Sequence, residues 1–144
     1  MQAGRGIPKK GVVERTEHRF GFRDLAEIFV GATVLGFPIA VTEEVWIISE
    51  ELTPGRQIFV VLLSILVLAW FGYMTFYKNR LKRHWREFVL RIVTVYGITL
   101  FDIGLILAAV DRLGLAADPV VALKRVILVA FPASFSATVV DSLR

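Results

Sequence analysis

Residues 57–77 read QIFVVLLSILVLAWFGYMTFY and contain no charged side chain. Because an α-helix rises about 1.5 Å per residue, a run of this length can cross a hydrocarbon core of about 30 Å. Inside lipid every backbone donor and acceptor needs an internal partner, and a continuous apolar run meets this need as a helix. The stretch therefore predicts a transmembrane helix rather than a strand of a membrane barrel, whose apolar residues would alternate.

Three similar apolar runs accompany this one, and a basic segment precedes them all. The sequence is 56% hydrophobic with a mean hydropathy of +0.64, whereas soluble domains are about 45–50% apolar. We predict an all-α protein of the cell membrane, with a cytoplasmic segment at residues 1–24 and a four-helix domain at residues 25–144. The predicted spans cover about residues 25–52, 57–77, 88–110 and 119–140.

The basic side chains give the predicted orientation. The chain has 17 Lys and Arg against 13 Asp and Glu, a net charge of +4 and a pI of about 9.8. Most of the basic residues lie before the first span and between the second and third, which places both termini in the cytoplasm. Because these charges adjoin apolar runs and no RNA-binding motif occurs, we expect the lipid bilayer as a partner and no nucleic acid.

Residue content excludes several kinds of catalytic and metal site. The chain has no cysteine and only two histidines, so it can form neither a disulfide nor a thiolate or histidine-rich metal centre. No nucleophile–base pair and no phosphate-binding glycine loop occurs, so we do not expect an enzyme. Asparagine, glutamine and methionine are rare, which is typical of thermophilic proteins.

A second stretch, GFPIAVTEEV at residues 36–45, leads an apolar helix directly into paired acids at the outer membrane face. No helix breaker lies between Pro38 and Pro54, so we predict that the first helix continues as far as Glu51. One stripe of such a helix carries Phe29, Thr33, Phe37, Ala40 and Glu44, with Glu51 one heptad further out.

Several copies with this stripe turned inward would form a tube capped by a ring of carboxylates, and such rings select cations. Calcium prefers oxygen ligands, and a bound divalent cation relieves the repulsion between crowded carboxylates. The pattern thus predicts a homo-oligomeric, calcium-permeable channel in which Glu44 binds the ion and Glu43, Glu50 and Glu51 attract it. Calcium is then the permeant ion, and no organic cofactor is expected. Alternatively, these acids are solvated residues of the membrane interface.

The Gly-Phe pair at residues 36–37, followed after six residues by Glu-Val, resembles the pore helix of Orai, the pore subunit of calcium-release-activated calcium channels. The acids at residues 50–51, the Pro-Gly turn at residues 54–55 and the four-span topology are similar as well. The resemblance implies a hexamer-like assembly with Glu44 as the selectivity-filter ligand. It also implies a pore lined by Ala40, Phe37, Thr33 and Phe29.

The sequence departs from the Orai pattern at three positions of the first span. Phe29 is not basic, Ala40 is smaller than the valine of that family, and Pro38 is an added helix breaker. The chain is also similar to small uncharacterised prokaryotic integral membrane proteins whose proline-containing first span ends in Glu-Val-Trp.

A lone carboxylate, Asp102, lies within the third predicted span. Inserting a charged residue there costs roughly 2.5–3.5 kcal/mol, so Asp102 is expected to face protein and to have a partner. The candidate partners are a hydroxyl or a basic side chain, namely Thr99, Ser134, Ser136, Lys124 or Arg125. The functional alternative makes Asp102 a proton or ion relay.

These residues leave two further functions open beside the channel. One is a secondary transporter of a cation or proton that uses Asp102, and the other is a membrane scaffold or accessory subunit that transports nothing. Pro132 is expected to bend the fourth helix or to act as a hinge. The small residues of the third and fourth spans, Gly97 and Gly104 among them, predict close helix approach.

Overall fold

The computed structural model of the chain describes residues 21–76 and 81–143. The helices are α1 (Phe22–Ala40), α2 (Glu43–Glu51), α3 (Pro54–Phe76), α4 (Leu81–Ala109) and α5 (Pro119–Ser142). The two described ranges contain no strand, which confirms the prediction of an all-helical chain there. Nearly all of the predicted cytoplasmic segment at residues 1–24 lies outside the described residues.

Local sequence signals explain where several of the helices begin and end. At the start of α5, the Asp118 carboxylate accepts hydrogen bonds from two backbone N–H groups of the first turn, at 2.9 and 3.3 Å. Pro119 follows as the first helical residue, a position where its missing N–H costs nothing. Beyond the end of α4, Gly114 adopts a φ of 65°, which a glycine tolerates without strain.

Helix α5 is the centre of the fold, because it packs against each of the other four helices. Helix α1 runs antiparallel along α5: Gly31 lies beside Ala137, and Gly36 one step further along lies beside Ala133. Small residues at these crossings let the two helix backbones approach closely. The start of α1 therefore lies next to the end of α5.

The core of the bundle forms where α1, α4 and α5 meet. Side chains with no more than 2% of their surface exposed fill it, among them Ile28, Ala32, Ile103, Leu107 and Val129. Helix α3 packs on the outside of this core, where the rings of Phe71 and Phe135 meet edge to face at 5.3 Å.

Three helices, α3, α4 and α5, are long and apolar enough to cross a membrane, and α1 with α2 makes a fourth span if the bent pair is counted as one. The sequence predicts four spans, and the described residues provide three, or four if the bent pair is one span. The prediction of one continuous helix from residue 25 to about residue 52 is wrong, because α1 and α2 are bent by 83° across a short break.

The break between α1 and α2 has a local cause that lies in hydrogen bonding. The Thr42 hydroxyl donates to the Ile39 carbonyl at 2.8 Å, and the Trp46 indole N–H donates to the Ala40 carbonyl at 3.0 Å. Both carbonyls would otherwise accept from the next helical turn, so these side chains end α1. Thr42 itself is extended and precedes the first residue of α2. Side chains, rather than a proline or glycine at the break, thus end the helix.

Close helix approach occurs at small residues of α5, as predicted, but the glycines opposite them belong to α1 and not to α4. A Cβ atom on Gly31 would lie 2.7 Å from the Ala137 Cα, and one on Gly36 would lie 2.3 Å from the Ile103 Cδ1. At Gly97 and Gly104, a Cβ atom would meet nothing within 4 Å. The tight contact is therefore made by α1 on α5 and α4, and not by these two glycines of α4.

Candidate functional site

The bend between α1 and α2 divides the predicted pore stripe. Phe29 and Phe37 are exposed on α1, but Ala40 is completely buried within the chain. Thr33 contacts α4, and Glu44 belongs to α2, whose axis points elsewhere. The single stripe expected from Phe29 to Glu44 is therefore not present, because a helix stripe needs a continuous helix. The pore-lining roles of these residues stay predictions.

The four predicted outer acids all lie on α2. Glu43 and Glu44 are exposed in its first turn, where carboxylates are favoured by the partial positive charge of a helix N-terminus. Glu51 is exposed at its last position, and Glu50 accepts a hydrogen bond from Arg125 at 2.8 Å. The acids that face solvent beside the bend are thus Glu43 and Glu44.

Arg125 of α5 holds α2 in place. Besides Glu50, its guanidinium donates to the Ser49 hydroxyl at 3.3 Å and to the Arg112 carbonyl at 2.7 Å. The Arg112 guanidinium in turn lies 4.0 Å above the Trp46 ring. Arg125 is therefore engaged at the outer end of α5 and does not form the ion pair with Asp102 that was one of its predicted options.

Asp102 lies in the interior of the bundle, with 1% of its surface exposed. Its Oδ2 atom is 3.0 Å from the hydroxyl of Thr33 on α1, a contact that joins two helices. Thr99 and Ser134, predicted as partners, instead donate to carbonyls of their own helices. The sequence predicts Thr33 as a pore-lining residue, whereas in the structure its hydroxyl contacts the Asp102 carboxylate.

Both residues of this pair lie at the same depth. Thr33 is seven residues before the end of α1 and Asp102 is seven residues before the end of α4, which corresponds to about 10 Å along each helix. Within residues 21–76 and 81–143, no cationic side chain forms an ion pair with Asp102. A carboxyl group is thus held deep in an apolar bundle by a neutral hydroxyl.

The two prolines singled out in the sequence both lie inside helices. Pro38 is exposed two residues before the end of α1, and Pro132 is half-buried within α5, which continues through it to Ser142. A proline removes one helical hydrogen bond in each case. Neither proline coincides with the break at residues 41–42.

Sequence reasoning missed a second group of carboxylates, at the other end of α1. One carboxylate oxygen each from Asp24 and Glu27 of α1 and Asp141 of α5 lie within 4.8 Å of one another. Arg91 of α4 forms an ion pair with Asp141. The predicted topology contained a signal for this group, because four alternating spans bring residues near 24, 91 and 141 to one side of the membrane. The acids at these positions lie among many basic residues in the sequence, which made a carboxylate group difficult to recognise.

Comparison with known proteins places the chain in a family. A family model described as "Putative integral membrane protein (DUF2391)" matches residues 5–140. The chain belongs to this family. No curated protein and no solved structure matches it. The similarity to small uncharacterised integral membrane proteins is thus supported, whereas the resemblance to Orai remains a prediction from a short motif.

Membership of the DUF2391 family agrees with the surface of the bundle. Large apolar side chains of α3 lie exposed along its length, including Ile58, Phe59, Leu62, Leu66 and Trp70. In water such an exposed apolar face would promote aggregation, but in a membrane it contacts lipid. As a DUF2391 protein the chain is an integral membrane protein with lipid around its apolar helices.

Proposed function

We propose that this DUF2391 protein is a secondary transporter coupled to a proton or a cation, with Asp102 as the coupling carboxylate. The observation that carries the proposal is the placement of Asp102, which is 1% exposed inside α4 and contacts the Thr33 hydroxyl of α1 at 3.0 Å. Ionisable residues inside membrane spans are costly and mark proton relays and ion pathways. A merely structural polar contact would not require a carboxylate at this cost.

The hydrogen bonds around Thr33 give this pair two stable arrangements. The Thr33 hydroxyl lies 2.9 Å from the Phe29 carbonyl and 3.0 Å from Asp102, yet it has one hydrogen to donate. When Asp102 is protonated, its O–H donates to Thr33, which donates to Phe29. When Asp102 is ionised, the Thr33 hydroxyl turns and donates to the carboxylate. One hydroxyl rotation thus accompanies the gain or loss of a proton.

The broken first span supports the same function. Discontinuous membrane helices build the substrate and ion sites of many secondary transporters. Here α1 ends about 10 Å beyond Thr33, the break follows at residues 41–42, and Glu43 and Glu44 are exposed beside it. Carboxylates at that position raise the local concentration of cations. They provide an electrostatic entrance above the buried pair.

The test is transport by the purified chain in liposomes under imposed proton, sodium or calcium gradients. We expect saturable flux that depends on the gradient and is abolished by Asp102→Asn, which keeps the size of the side chain and removes its proton chemistry. Asp111→Asn is the matched control, because Asp111 is exposed beyond the end of α4 and asparagine tolerates its φ of 55°. Coupled flux that survives Asp102→Asn would contradict the proposal.

The calcium-permeable channel is the second candidate, and the exposure of Glu43, Glu44, Phe29 and Phe37 favours it. These side chains are available to a neighbouring copy of the chain. The channel requires a homo-oligomer and predicts stepwise calcium currents that Glu44→Gln reduces while Asp102→Asn is tolerated. The transporter predicts the reverse pattern for the two variants. Liposomes that stay tight under every gradient would leave only the scaffold.

A further inference from the structure

Two acids of α1 and one of α5 meet where the start of α1 lies beside the end of α5. We name Asp24, Glu27 and Asp141 the α1–α5 carboxylate cluster. Asp24 and Glu27 are three residues apart, so they share one side of α1. Asp24 and Asp141 are buried, and one oxygen from each of the three groups lies within 4.8 Å of the other two.

Asp141 supplies a second observation that points to a ligand. Arg91 donates to its Oδ2 atom, whereas its Oδ1 atom is buried and accepts no hydrogen bond from the described residues. Only 2% of Asp141 is exposed, so water does not satisfy this oxygen from the surface. A buried acceptor without a donor destabilises the fold unless something else binds it. The Oδ1 atom of Asp141 is thus an open coordination position.

The donor atoms of the cluster favour one class of ion. Hard divalent cations such as Ca²⁺ take oxygen ligands, carboxylates among them. The three carboxylate oxygens lie within 4.8 Å of one another, so one such ion can contact all three. Three carboxylates in one place also repel each other, and a divalent cation removes that repulsion.

We propose that the α1–α5 carboxylate cluster binds one hard divalent cation such as Ca²⁺. The ion would join the start of α1 to the end of α5, with Arg91 orienting Asp141 from the other side, as outer hydrogen bonds orient metal-ligating carboxylates. This site is distinct from the Asp102 pair and from the acids of α2, and it does not depend on the proposed transport function.

Equilibrium dialysis of the purified full chain in detergent against calcium chloride tests the site. We expect one calcium ion per chain to be lost, or bound at least about tenfold more weakly, in both Glu27→Gln and Asp141→Asn. Glu87→Gln is the control, because Glu87 is an exposed acid of the neighbouring α4 outside the cluster.

Ions held by the exposed acids of α2 do not change in these variants, so the difference between variant and parent reports the cluster alone. Equal calcium binding by the parent, Glu27→Gln and Asp141→Asn would overturn the proposal and leave the cluster an ion-pair network around Arg91. If Asp141→Asn does not fold, Glu27→Gln decides alone, because part of its side chain is exposed. Asp102→Asn should bind calcium as the parent does, so the failure of transport and the failure of this site are separable.

Discussion

At the scale of single residues, the sequence predicts that Asp102 has a partner but does not identify Thr33 as that partner. The need for a partner follows from the cost of a carboxyl group in an apolar helix. The identity of the partner depends on which face of α1 packs on α4, and that face is decided by Gly36 lying against Ile103. Hydroxyls closer in sequence were satisfied by their own helices.

Replacement of Thr33 by valine should destabilise the bundle by about 1–2 kcal/mol, because it removes the hydroxyl that contacts both Asp102 and the Phe29 carbonyl. The measurement is the free energy of unfolding in mixed detergent micelles. Thr94→Val is the control, since the Thr94 hydroxyl donates only to Leu90 of its own helix. An equal loss in the two variants would show that Thr33 has no special contact.

At the scale of elements, the contact between α1 and α5 depends on a backbone approach that one added carbon disrupts. The position of a Cβ atom on Gly31, 2.7 Å from the Ala137 Cα, leaves no flexible side chain to move aside. At Gly36 the obstructing atom is the end of the Ile103 side chain, which can adopt another rotamer. The packing of α1 therefore requires a glycine more strictly at position 31 than at position 36.

A graded series of alanine variants tests this contact by thermal unfolding in detergent. Gly31→Ala should cost about 1–3 kcal/mol because the helices must separate, and Gly36→Ala should cost less. Gly97→Ala should be neutral or stabilising by up to about 1 kcal/mol, since nothing obstructs its Cβ and alanine favours helix. If Gly31→Ala unfolds at the temperature of the parent, α1 does not pack on α5 as described.

At the scale of the whole molecule, the bundle places the two ends of the described chain together. Asp24 lies beside Asp141 at one end, while Arg125 joins α5 to α2 at the other. We therefore expect α1 and α2 to form one bent span rather than a re-entrant loop. Phe22 and Leu143 should then lie on one side of the membrane, with Gly55 on the opposite side.

Single-cysteine labelling tests this topology directly, because the chain has no native cysteine. In intact cells a membrane-impermeant maleimide should label Gly55→Cys and should not reach Phe22→Cys or Leu143→Cys until the membrane is opened. The three positions are exposed in the structure. Labelling of Phe22→Cys together with Gly55→Cys would mean that α1 and α2 enter and leave on the same side. Labelling of Leu143→Cys in intact cells would reverse the predicted orientation.

The sequence by itself determined the class of protein, the last three of the four predicted helices and the presence of a costly carboxyl group at Asp102. These follow from the length and continuity of apolar runs, because lipid leaves the backbone few choices. Only the tertiary structure decided the pairing of Thr33 with Asp102 and the meeting of Asp24, Glu27 and Asp141. Those features depend on which helix faces meet. Because the helices are apolar on every side, close packing and hydrogen bonds decide which faces pack together. The periodicity of apolar residues in the sequence does not reveal this choice.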